Sequence, residues 1–140
     1  MVEINQILAG MVAAIQSRQF PAGSEIASAL GLDLSGAKIT TTQGGIVSIL
    51  GARLPASTTE IGLVGASTPR KTLDLVFLGP AIPVGPYIEA PLGAGQHIEP
   101  SVHGKGLTIA FSVDGFDCGI TASARDGEVE TLFCAAQSAS

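Results

Sequence analysis

The chain has 140 residues, 46% of them apolar and only 14% charged, with seven basic and twelve acidic side chains and a net charge of −5. That composition excludes an intrinsically disordered chain. Scattered Lys and Arg under an acidic excess also exclude a surface built for nucleic acid or anionic lipid, so neither is expected as a partner.

The length predicts a single domain over residues 1–140, with an N-terminal helix over 3–18, a first half over 21–79 and a second half over 83–134. Two cysteines, Cys118 and Cys134, are too few for a disulfide scaffold. Residues 1–8 carry an acid at Glu3 and no base, unlike a secretory signal. No apolar run approaches the ~20 residues that cross a bilayer. The expectation is a cytoplasmic protein with no membrane partner.

In chain order, Ile4, Ile7, Leu8, Met11, Val12 and Ile15 fall at spacings of three and four, one stripe of an amphipathic helix. Ser24 to Leu32 predicts a second short helix with Ser24 as its N-cap. The chain then turns β-branched and Gly-rich. Gly44-Gly45, between two β-prone runs, predicts a tight hairpin in which both glycines take positive φ. Further strands are expected at about Glu60 to Gly65 and Thr72 to Leu78. Tyr87 to Leu92 reads as a short helix weakened by Pro91.

The clearest local pattern lies near the C-terminus. Leu107, Ile109, Phe111 and Val113 alternate with small polar residues, and Asp114-Gly115 predicts a type I′ turn. Phe116, Cys118, Ile120, Ala122 and Ala124 continue the alternation up to a second Asp-Gly pair at Asp126-Gly127. Two-residue turns at both sites pair Phe111 with Cys118, Ile109 with Ile120, Ala122 with Thr131 and Ile120 with Phe133, all on one face. Cys118 and Cys134 then lie on opposite faces. A three-residue second turn would set the cysteines opposite each other, but it carries Glu128 and Glu130 to the apolar side, and the two-residue turn is preferred.

An internal repeat also emerges. Pro21, Gly23, Ile26, Leu30 and Gly31 match Pro83, Gly85, Ile88, Leu92 and Gly93 at one constant offset. Residues 45–50 line up with 106–111, Ile61 with Cys118, and Phe77 with Phe133. The fold class expected is therefore α+β: an N-terminal amphipathic helix plus antiparallel sheet, with a pseudo-duplicated arrangement of one helix and three strands per half.

Constellations that could carry chemistry are sparse. On a strand, His97, Glu99, Ser101 and His103 share one parity, but about 20 Å would separate the two histidines, too far for one metal ion. No metal site is expected, and both histidines read as solvated loop residues. The acids form no pair at catalytic spacing, and Arg125 with Glu128 reads as an exposed ion pair beside the second turn. Gly93-Ala94-Gly95 and Gly104-Lys105-Gly106 lack the rest of a phosphate-loop fingerprint. No catalytic residue and no cofactor are expected.

What remains is the second face of the C-terminal meander. Thr108, Ser112, Thr121, Ser123 and Leu132 on it are small or uncharged where a wet sheet face usually carries Lys, Glu and Arg. The expectation is a non-catalytic interaction, assembly or carrier module that binds a protein partner or itself as a homo-oligomer, through this face or the N-terminal helix. The small acidic chain with its amphipathic N-terminal helix is similar in outline to secretion-effector chaperones. Those usually end in a helix, where this chain ends in a strand and a small-residue tail, Ala135 to Ser140. The alternative is a small-molecule binder or modest enzyme with a pocket between the halves, at which Tyr87, His97 and Glu99 converge.

Overall fold

The computed structural model describes residues 4–16, 21–54, 59–66, 70–79, 82–88, 92–100, 106–123 and 127–136. It shows a mixed α+β protein whose strands form one eight-stranded antiparallel sheet. Helices α1 (Ile4–Ile15) and α2 (Gly23–Leu30) lead into strands β1 (Lys38–Thr41), β2 (Val47–Arg53), β3 (Glu60–Ala66) and β4 (Thr72–Gly79). A single turn of helix, α3 (Gly85–Ile88), leads into β5 (Ala94–Pro100), β6 (Leu107–Val113), β7 (Phe116–Ala122) and β8 (Val129–Ala136). The spatial order is β1-β2-β3-β4-β8-β7-β6-β5. Two four-stranded meanders thus meet along β4 and β8, with β1 and β5 at the edges.

Both long helices lie on one side of the sheet, α1 against β4 and β8 and α2 against β1 and β2. The stripe of α1 explains its docking: Ile7, Leu8, Met11, Val12 and Ile15 are all buried. The α2 helix begins earlier than its hydroxyl suggests. Ala22 is its N-cap, and the Glu25 carboxylate one turn on accepts the Ala22 N–H at 3.5 Å, leaving Ser24 exposed inside the helix. The helix expected over Tyr87 to Leu92 is instead α3, which starts at Gly85; residues 89–91 lie outside those described.

The helix-facing side of the sheet carries a continuous lateral row, one residue from each strand. Ile39, Ile49, Leu63, Leu75, Leu132, Ile120, Ile109 and Ile98 stand as successive cross-strand partners. All but the two edge residues are fully buried. Directly opposed aliphatic pairs of this kind are the unit of sheet stabilisation.

Two turns account for the observed registers. Asp114 and Gly115 both have positive φ, 50° and 87°, as a type I′ turn requires, and they pair Val113 with Phe116 and Phe111 with Cys118 as expected. The β1–β2 hairpin differs. Thr42 pairs with Ile46, the Gly45 N–H bonds to Thr42 O, and only Gly45 has positive φ, 82°. A three-residue loop closing on one left-handed glycine does the work assigned to the Gly-Gly pair.

The second hairpin of the C-terminal meander is also corrected. Ser123 N–H bonds to Glu128 O, Ala122 faces Val129, and the register then shifts so that Thr121 faces Thr131. That bulge absorbs Glu130 as an extra residue. Ile120 therefore faces Leu132, not Phe133, and Cys118 faces Cys134. In a regular ladder this pairing carries a penalty, because it drives Glu128 and Glu130 to the apolar side. The bulge removes it: Glu128 and Glu130 are exposed while Val129, Leu132 and Cys134 are buried. Asp126 and Arg125, and with them the proposed ion pair, lie outside the described residues.

Candidate functional site: the sheet face away from the helices

Strand alternation sends a second set of side chains to the side of the sheet away from α1 and α2. One row across it reads Lys38, Leu50, Gly62, Val76, Thr131, Thr121, Thr108 and Glu99. The next reads Thr40, Ser48, Val64, Asp74, Phe133, Gly119, Ala110 and His97. The two halves differ in what they present.

On the first half the face is apolar and open. Leu50 is 57% exposed and Leu78 55%, with Val64 and Val76 close behind. They form one patch: Leu50 and Leu78 both reach over Gly62, which has no side chain to keep them apart, and Val76 is the cross-strand partner of Gly62. Four of the seven large exposed hydrophobics among the described residues lie here. Asp74 borders the patch between Val64 and Phe133, and partial burial there raises its carboxyl pKa. This patch was missed in the sequence. Its trace was the uninterrupted run Leu75-Val76-Phe77-Leu78, apolar on both parities and readable as a strand buried on both faces.

On the second half the face is small and polar. Thr108, Ser112 and Thr121 are half-buried on it, and Thr121 and Thr131 hydroxyls bond to each other across β7 and β8. Ser123 is exposed at the end of β7, where its Oγ accepts the Glu128 N–H at 3.2 Å. Leu132 is not on this face: it sits fully buried in the aliphatic row beneath the helices, because the bulge reverses the parity expected for it.

The ligand-site candidates separate. His97 and Glu99 come together on β5, which is a strand and not the solvated loop expected, with His97 Nε2 3.2 Å from Glu99 Oε2. Tyr87 instead packs against the buried core. His103 and Ser101 lie outside the described residues. A shallow cavity of about 300 Å³ does open on this face, lined by His97, Glu99, Ser112, Asp117 and Phe133. It lies within the C-terminal meander and not between the halves. Among the described residues no three His, Cys, Asp or Glu side chains are grouped to hold a metal ion.

His97 makes a second contact, Nδ1 to the Gly95 carbonyl at 2.8 Å. Both partners are acceptors, so only the doubly protonated ring can donate to both. The Gly95 carbonyl foremost, then Glu99, accordingly raise the His97 pKa above 6.5. An NMR titration of the ring protons is expected to show that elevation, reduced but not abolished in Glu99→Gln because the carbonyl remains. By linkage, the pair stabilises the fold below the ordinary histidine pKa, and the contribution disappears as pH rises through the elevated one. A His97 that titrates normally would show that the contacts do not form in solution.

No helix among the described residues is long and apolar enough to cross a membrane. Compared with protein-family models, curated proteins and solved structures, the chain matches none.

Proposed function

We propose that the protein is a non-catalytic interaction module that self-associates through the sheet face turned away from its helices. The carrying observation is the contiguous Leu50, Val64, Val76 and Leu78 patch, left in water although the opposite face buries its aliphatic row almost completely. Isolated surface hydrophobics need no explanation, but a cluster marks a docking site. A second copy is the favoured occupant because an isologous contact sets a patch against itself. These four side chains carry no charge to repel their equivalents. Two sheets packed face to face about 10 Å apart are a common architecture. The apolar first half carries the contact, and Thr108 and Thr121 of the small polar half lie at its margin.

The order of elements supports the further reading that the halves are copies of one unit. Each short helix, α2 and α3, precedes a four-stranded meander, and the matched segments fall on β2 with β6, β3 with β7 and β4 with β8. A cytoplasmic location suits two unbridged thiols.

Sedimentation equilibrium at micromolar concentration tests the main reading. A reversible dimer supports it, and a strict monomer at every concentration overturns it. The cavity beside His97 favours small-molecule binding as a second reading, which a retained ligand in a native mass spectrum, lost in Phe133→Ala, would support.

A further inference from the structure

The aliphatic row beneath the helices has a neighbour in which β8 and β7 contribute sulfur. Cys134 and Cys118 are direct cross-strand partners, with Sγ atoms 3.2 Å apart and each residue 1% exposed. Directly opposed residues in an antiparallel ladder have Cα atoms about 4.5–5.5 Å apart, inside the ~4.4–6.8 Å range that a disulfide spans. The flanking register, Gly119 with Phe133 and Ile120 with Leu132, holds the two strands in that alignment.

We propose that Cys118 and Cys134 are a modification site, closed by peroxide into an intramolecular cross-strand disulfide. In the first step one thiolate sulfur attacks a peroxide oxygen. The O–O bond breaks, a sulfenic acid forms, and the departing hydroxide takes a proton to become water. In the second step the neighbouring sulfur attacks the sulfenic sulfur. The S–S bond forms, the S–O bond breaks, and hydroxide leaves with the second thiol's proton as another water. The dithiol loses two electrons and the peroxide gains them. A small oxidant is the right class, because sulfurs this buried are closed to a protein disulfide donor.

The two sulfurs titrate as one unit. Sharing one hydrogen between the sulfurs lowers the Cys118 pKa, while the same contact and burial raise that of Cys134. At this separation either sulfur can take the peroxide oxygen, and the other lies in place to resolve it. The site lies on the helix-bearing side of the sheet and does not depend on the self-association reading.

The test treats the folded wild-type protein with hydrogen peroxide, then measures intact mass and maps peptides without reduction. The expected result is a loss of two hydrogens, a linked peptide pair containing Cys118 and Cys134, reversal by dithiothreitol, and a Tm raised by about 5–10 °C for a loop of this length. In Cys134→Ala, dimedone is expected to label Cys118. Intermolecular linkage, sulfonic acid without linkage, or two thiols surviving exposure that oxidises the denatured chain would each overturn the proposal. The wild-type mass measurement stands even if the variant does not fold.

Discussion

Replacing Leu132 with Ala is expected to lower the unfolding free energy by about 3 kcal/mol, within the ~2–5 kcal/mol range for truncating a buried leucine. Leu132 is fully buried between Leu75 of β4 and Ile120 of β7, at the seam where the two meanders join. A cavity there removes contacts from both halves at once, and the surrounding strands, hydrogen-bonded on either side, have little freedom to collapse into it. Thr131→Ala, one residue away on the opposite face, is expected to cost less than about 1 kcal/mol, the worth of its hydroxyl pair with Thr121. Urea midpoints for the two variants measure the difference directly. The comparison is also a test of register. A two-residue turn at Asp126-Gly127 would put Leu132 on the open face and Thr131 in the core, and the order of the two effects would be reversed.

A Leu50→Glu/Val76→Glu double variant is expected to weaken self-association by about two orders of magnitude or more. Central apolar anchors at an interface typically cost about 2 kcal/mol when removed, and about 1.4 kcal/mol is tenfold in affinity. In an isologous dimer each substitution acts in both copies, and four carboxylates brought beside Asp74 add like-charge repulsion. Stability of the isolated protomer is expected to change little, since Leu50 is 57% exposed and Val76 39%. That separation makes the experiment decisive: sedimentation should report a monomer while the thermal transition stays near the wild-type value. A dimer that survives both substitutions does not use this patch.

Which parts of this molecule can be read locally follows from the physics of each signal. The stripe on α1 and the alternation in β6 and β7 are legible because helix and strand periodicities impose them within a few residues. Asp114-Gly115 is legible because two successive positive-φ positions strongly favour this dipeptide. By contrast, the convergence expected of Tyr87, His97 and Glu99 in a pocket between the halves depends on tertiary placement, which brings only two of them together. His97 and Glu99 lie two residues apart on one strand and meet; Tyr87 belongs to a helical turn that packs on the core.

The amino-acid sequence by itself determined the α+β class of the protein, its helix stripe and the β6–β7 hairpin. Tertiary structure decided the rest through one displaced residue. The bulge at Glu130 has no distinctive local signature, because its benefit comes from burying Leu132 against Leu75, a partner far away in the chain. Once β8 is set by that contact, Cys134 must stand against Cys118. Which apolar side chains stay in water was likewise settled by the sheet as a whole, since strand parity assigns a face but only the placement of the helices says which face is covered.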